Sequence, residues 1–422
     1  MKTSRIFASV LASMLLCSAL TACGNIQTEQ PAVQAADPTA EIEPQQVSGK
    51  DPDETFINAQ TGFALNLLRE TAKTGKNILI SPESVMYALA MTANGAANQT
   101  LSEMEQALGG IPVNTLNEYL YSQRTGIPEN ENCKFKMANS IWVRDDAERI
   151  KLDPAFLQKN ADYYAADAFL AAFDESTRKD INNWCSNKTN NMIPEMLTDP
   201  ISPDTVMYLI NAVCFEAKWE KVYEEEPAPQ EFHAANGTEQ TAKMMYSEEQ
   251  TYLSDEHATG FMKNYQGGKY AFAAILPEEG MTPEQYLADL QPEALHSMLA
   301  NAEHTAVQAG LPQFSYDYNT ELSGLLSSMG MTSAFDETAD FSGMTGSENQ
   351  LFINRVLHKT HIDVDTEGTK AAAVTAVEMN DECAAETPVD LKYVILDRPF
   401  VYLIVDTETM LPVFSGVLNE IP

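Results

Sequence analysis

From residue 54 to residue 422 the sequence runs without a linker and without an internal repeat, and helical and strand patterns are mixed along it. Phe56, Phe63, Leu67 and Leu68 recur at helical spacing. Ser81-Pro82 opens a second helix, with Pro in its first turn and Val85, Leu89 and Ala93 as its apolar positions. Strand-like runs stand at 134–143, 205–217, 270–276, 305–312, 351–364 and 393–405. Long strands with interspersed helices and no strict alternation predict an α+β fold with a large, mostly antiparallel or mixed sheet. The 422 residues are 44% hydrophobic and 9% aromatic, enough for a large core, so wholesale disorder is excluded.

Charge excludes one class of partner. Against 61 Asp and Glu stand 26 Lys and Arg, a net charge of −35, and nucleic-acid binding requires clustered cations. The chain begins as an export signal. Lys2 and Arg5 precede a short apolar run from Ile6 to Leu20. The ending Leu20-Thr21-Ala22-Cys23 resembles a bacterial lipobox, in which the Cys becomes the lipidated first residue of the mature chain. Residues 1–22 are therefore expected to be a lipoprotein signal peptide, with lipidation at Cys23. Residues 23–53, rich in Gln, Pro, Ala, Glu and Thr, are expected to be a flexible acidic tether. The expected location is the outer face of a membrane, held only through that lipid, because no later run approaches the roughly eighteen apolar residues of a spanning helix. Of the six cysteines, Cys185 and Cys214 sit in apolar runs and read as core residues; no Cys pair has zinc or disulfide-scaffold spacing.

No nucleophile elbow, zinc-protease helix, phosphate loop or dinucleotide fingerprint is present in the sequence. His358 and His361 form the closest histidine pair, but three residues apart on a strand they face opposite sides, a poor metal pair. No cofactor and no metal are expected. One segment stands out, from Glu367 to Met379. With period two, Thr369, Ala371, Ala373, Thr375, Val377 and Met379 make a face without charge. Such a segment fits a strand with one buried face, or equally a flexible Ala-rich surface loop; composition alone favours the loop.

Further motifs lie around it in a fixed order. They are Asn77-Ile78-Leu79-Ile80-Ser81-Pro82-Glu83-Ser84, Ala138-Asn139-Ser140-Ile141-Trp142, and Ile181-Asn182-Asn183-Trp184 with Thr189-Asn190-Asn191-Met192-Ile193. Then follow Leu209 to Glu220, Leu311-Pro312-Gln313-Phe314, His358-Lys359, and Arg398-Pro399-Phe400 with Phe414-Ser415-Gly416-Val417. Together with Asp365 to Ala376 they resemble the serpin family over residues 54–422.

The resemblance implies one α+β domain of three sheets and eight to nine helices with an exposed reactive-centre loop. It implies an inhibitor of proteases rather than an enzyme, a monomer whose partner is its target. In such inhibitors the protease cuts the loop, and the cut loop inserts into the central sheet and traps the acyl-enzyme. The loop hinge would be Glu367, Gly368, Thr369, Ala371, Ala372, Ala373 and Thr375. Insertion demands small, uncharged inward side chains, because a buried unpaired charge costs several kcal/mol. Ser81, Ser84, Asn211 and His358 would form the polar shutter under the sheet, and Trp219 would mark the breach where the loop enters. In the family's usual register the attacked residue stands at position 382, giving Glu382–Cys383 as scissile bond, with Cys383–Ala384 as the alternative. The target would be an elastase-like, glutamyl- or aspartyl-specific, or granzyme-like protease, serine-type in class, with cysteine-type as the alternative. The chain departs from the family at Thr366, where Glu is usual, at Val374, bulkier than the usual residue, and at Pro412, which interrupts a strand pattern. A non-inhibitory binding or scaffold protein with the same fold is the competing reading; the hinge composition favours inhibition.

Overall fold

The computed structural model describes residues 32–127, 133–146, 150–345, 351–369 and 391–422. In chain order the first half comprises α1 (Glu54–Ala72), β1 (Ile78–Ile80), α2 (Pro82–Ala93), α3 (Asn98–Ala107), α4 (Val113–Thr125), β2 (Cys133–Arg144), α5 (Pro154–Tyr164), β3 (Asp167–Ala171), α6 (Glu175–Lys188) and β4 (Met207–Lys218). Then come β5 (Ala228–His233), β6 (Glu239–Ser254), β7 (Ala258–Asn264), β8 (Tyr270–Pro277), α7 (Pro283–Asp289), α8 (Pro292–Ala300), β9 (Glu303–Pro312) and β10 (Phe314–Glu321). The last part comprises α9 (Ser323–Ser328), α10 (Ser342–Thr345), β11 (Arg355–Val364), β12 (Gly368–Thr369), β13 (Lys392–Ile395), β14 (Phe400–Asp406) and β15 (Pro412–Leu418).

The strands form a six-stranded sheet, in the order β10-β11-β12-β4-β2-β3, and a nine-stranded one, β1-β15-β14-β8-β7-β6-β9-β13 with β5 on β6. Two sheets stand where three were expected because the end of β6 pairs with β7 from Thr251 to Ser254, joining what would be two sheets into one. The described residues hold ten α-helices rather than eight to nine; α9 and α10 are single short turns of six and four residues. The expected loop, 370–390, lies outside the described residues.

Local chemistry explains the elements that matter for function. The Asp53 carboxylate caps α1 by accepting the Phe56 N–H at 3.2 Å. In α2 every residue is buried, so the helix runs through the interior and its two ends can only bond protein. β4 is buried along almost its whole length, as a strand covered on both faces must be, whereas β10 alternates buried and exposed positions at the sheet edge. An aromatic layer, including Phe135, Phe215, Tyr270, Phe272, Tyr402 and Phe414, fills the space between the sheets.

Three expectations are revised. The run 393–405 is two strands, β13 and β14, which pair with different neighbours, β9 and β8. Pro412 does not interrupt a strand; it is the first residue of β15, where a missing N–H is tolerated. The stretch 23–53, expected to be a flexible tether, is hydrogen-bonded to the domain wherever it is described, from Ala32 onward. Ala36 bridges Leu170 of β3, Gln34 N–H donates to Asp180 Oδ1 at 2.9 Å, and Lys50 N–H donates to Glu118 O at 3.0 Å. Val33, Ala35 and Ile42 supply the apolar anchors that the polar composition hides. Cys23 and the signal lie outside the described residues, among which no helix is long and apolar enough to cross a membrane.

Candidate functional site: an opening in the six-stranded sheet

β4 and β11 run parallel and are hydrogen-bonded to each other over Tyr208–Ala212 and Arg355–Lys359. Above that stretch they part, and β12 sits between them. Thr369 pairs with Val364 of β11 and with Ala217 of β4, antiparallel to both. Any strand that continues β12 downward therefore exchanges one parallel interface for two antiparallel ones, the more stable pairing per residue.

The hinge is already committed to this gap. Thr369 is 1% exposed and its hydroxyl shares a 2.6 Å hydrogen bond with the Tyr265 hydroxyl. A turn precedes it, in which the Asp365 carboxylate accepts the N–H groups of Glu367 and Gly368 at 2.8 and 3.1 Å. At Gly368 the absence of a side chain supplies space. A Cβ built there would stand 2.1 Å from Ala217 O and 2.8 Å from Lys218 Cα. Gly368→Ala is expected to expel β12 from the sheet top, read as faster cleavage of the hinge by a nonspecific protease; an unchanged cleavage pattern would contradict the steric account.

Trp219, at the end of β4, holds the turn from the other side. Its indole N–H donates to Asp365 O at 2.9 Å and its main-chain N–H to Glu367 O at 2.9 Å, while Tyr223 N–H donates to Thr366 O at 3.0 Å. The Trp219 ring is fully buried and stacked on Tyr265, centroids 4.6 Å apart.

Below the gap lies a polar row. Asn139, Asn211 and His358 stand in register across β2, β4 and β11. His358 is fully buried. Its Nε2 accepts the Ser81 N–H at 3.1 Å, so its proton lies on Nδ1, which donates to Asn211 Oδ1 at 2.7 Å. The Asn211 amide donates to Asn139 Oδ1 at 2.7 Å, to Ser84 O at 2.9 Å and to the Ser84 hydroxyl. Ser81 Oγ donates to Val413 O at 2.8 Å and caps α2. Burial pushes the His358 imidazole down to about 3 from its usual 6.5. The Asn211–His358 bond spans the seam between β4 and β11, so it must break or rearrange for a strand to pass. The cluster is thus a lock on the seam, with α2 as its fixed side.

The structure brings Ser81, Ser84, Asn211 and His358 together, and Trp219, Glu367, Gly368 and Thr369 meet at the gap above them. Ala371, Ala372, Ala373, Thr375, Glu382, Cys383 and Ala384 lie outside the described residues. Asn139, Tyr223 and Tyr265 were missed; only Asn139 carried a signal, being a poor strand former in the middle of a strand pattern. His361 lies on the opposite side from His358 and pairs with Asp317 at 2.8 Å. Cys133, Cys185 and Cys214 are buried thiols. Among the described residues, Glu231, His233 and Glu239 are the one set whose ligand atoms come within 4.8 Å of one another, and all three are exposed.

The site is thus a parallel seam that parts around a short antiparallel strand, with a hydrogen-bonded polar row beneath it. The family model described as serpin, serine protease inhibitor, matches residues 58–421. The chain belongs to the serpin family, whose members are in general protease inhibitors. It is 28% identical over 380 residues to intracellular coagulation inhibitor 2 of Tachypleus tridentatus, covering 87% of this chain and 91% of that protein. It also matches the thermophilic serpin tengpin in its native state, with 44% identity, a TM-score of 0.87, and coverage of 92% of this chain and 100% of the other. Against the latent state of tengpin the identity is 42%, the TM-score is 0.77, and the coverage is 89% and 100%.

Proposed function

We propose that this chain is a suicide-substrate inhibitor of endopeptidases that works by loop insertion. The observation that carries the reading is β12, seated between β4 and β11 and antiparallel to both, with the seam closed below over Tyr208–Ala212 and Arg355–Lys359. The greater likeness to the native than to the latent form of tengpin supports an uninserted resting state.

The chemistry follows from the chain's own residues. A serine protease hydroxyl attacks the carbonyl carbon of Glu382; the bond to Cys383 breaks, and the amine of Cys383 leaves with the proton. The loop N-terminal to the cut, now an ester of the protease, follows Thr369 into the seam. Thr369, Ala371, Ala373 and Thr375 present no charge to the interior, so little opposes their burial. Glu382 as attacked residue selects an enzyme with a basic specificity pocket; Cys383–Ala384 as scissile bond selects an elastase-like one. No Lys or Arg lies between Lys370 and Lys392, so trypsin-like targets are disfavoured. Lipidation at Cys23 would hold the inhibitor at the cell surface, facing exported or foreign proteases.

The test is to mix the domain with an elastase, a glutamyl endopeptidase and granzyme B. The expected result is a covalent complex that survives denaturation, with a released peptide whose mass starts at Cys383 or Ala384. Clean cleavage without a complex would move the chain to the non-inhibitory, binding or scaffold reading.

A further inference from the structure

Trp219 and Tyr223, whose N–H groups hold all three carbonyls of the hinge turn, share a second neighbour. Lys263, on β7, places Nζ 5.6 Å from the Trp219 ring centroid and 4.4 Å from that of Tyr223. Its side chain is 2% exposed, and Nζ pairs with Glu249 Oε1 at 2.7 Å. Glu249 also accepts the Ser247 hydroxyl at 2.7 Å, and it stands where the pairing of β6 with β9 shifts register. A buried ammonium held by one carboxylate and two ring faces is left uncompensated when the carboxylate is lost, so the pair is costly to break. Both charges come from the nine-stranded sheet, which the loop does not enter. The segment 219–223 that they fix is the outer wall of the gap, tied to the same sheet through the Glu220 N–H, which donates to Asn264 O at 2.9 Å.

We propose that the Lys263–Glu249 pair is a latch: it positions Trp219 and Tyr223 and so holds the hinge at two inserted residues until the loop is cut. Lys263 is a positioning residue here: it acts through Trp219 and Tyr223. The proposal rests on the reading of the loop as an insertable strand. An ion pair serving only to join β6 to β7 would not need to lie against the side chains of both residues whose N–H groups hold the hinge turn.

Removing Lys263 alone leaves Glu249 buried and unpaired, and the fold itself would suffer. The decisive variant is therefore Lys263→Met with Glu249→Gln, which removes both charges and keeps the volume. Lys263→Arg, which keeps the charge and the stacking, serves as the rescue. Each protein is held without protease below its unfolding midpoint. Conversion is followed to a form that unfolds at higher temperature and is no longer cut in the loop. The double variant is expected to convert roughly tenfold faster than wild type, and Lys263→Arg at the wild-type rate. Equal rates in wild type and double variant, with cut wild type still gaining stability, remove the latch alone. A lowered unfolding midpoint without faster conversion marks an ordinary structural pair and also removes it. If even the cut wild type gains no stability, the insertion reading falls and the latch falls with it.

Discussion

Thr369→Arg is expected to turn the inhibitor into a substrate. Thr369 is 1% exposed between β4 and β11, with its hydroxyl on Tyr265. A guanidinium there would be buried without a counter-charge, at several kcal/mol. The hinge would instead stay outside the sheet, and insertion would have to carry the charge through the gap. A barrier higher by about 3 kcal/mol slows insertion more than a hundredfold. Hydrolysis of the acyl-enzyme then wins, so the protease is released active and the loop is cleaved at an unchanged rate. A denaturing gel reads the outcome directly: the covalent band is lost and the cleaved band remains. A wild-type yield of covalent complex would show that Thr369 does not lead the insertion.

The second large effect is a pH dependence of the lock. Neutral His358 is the form that both donates to Asn211 and accepts from Ser81; a proton on Nε2 would face the Ser81 N–H. The folded protein holds this histidine at about 3, against 6.5 when it is free. The native state therefore binds fewer protons than the unfolded chain between these values. Its stability is full above about 6.5 and declines as the pH falls towards 3. At pH 5 the loss from this one group is about 2 kcal/mol. His358→Gln lacks the titrating group. It should be less stable than wild type at pH 7.5, having lost lock bonds, yet should lose about 2 kcal/mol less on going to pH 5. Denaturant midpoints at the two pH values measure this, and parallel losses in the two proteins would contradict it.

Much of this architecture was legible because its signals are local. Ser81-Pro82 announced the start of α2, and the strand-like run at 205–217 announced β4. The long strand β6 was missed because Glu239, Glu248 and Glu249 break its alternation, and a tertiary partner, not propensity, makes it a strand. The run 393–405 hid the Asp397-Arg398-Pro399 corner that sends β13 and β14 to different neighbours. The site followed the same rule. The lock residues Ser81, Ser84, Asn211 and His358 were found through motifs that belong to their own elements. Lys263, Tyr223 and Tyr265 gave no such sign, since their importance arises only when β7 and the end of β4 meet behind the hinge. Gly368 was found through the hinge motif, but its reason is tertiary: its backbone needs room beside Ala217 O.

The central claim is that the seam between β4 and β11 takes up the cut loop as a strand. The most direct measurement is the thermal unfolding midpoint of the domain before and after cleavage of the loop, with Thr369→Arg cut in parallel. A new interior strand adds on the order of ten hydrogen bonds at about 1 kcal/mol each, so the midpoint of the cut wild type should rise by at least about 10 °C. Cut Thr369→Arg should gain far less. A cut wild type that unfolds at the midpoint of the intact protein would mean that the seam stays shut, and the account of this chain as a loop-inserting inhibitor would be wrong.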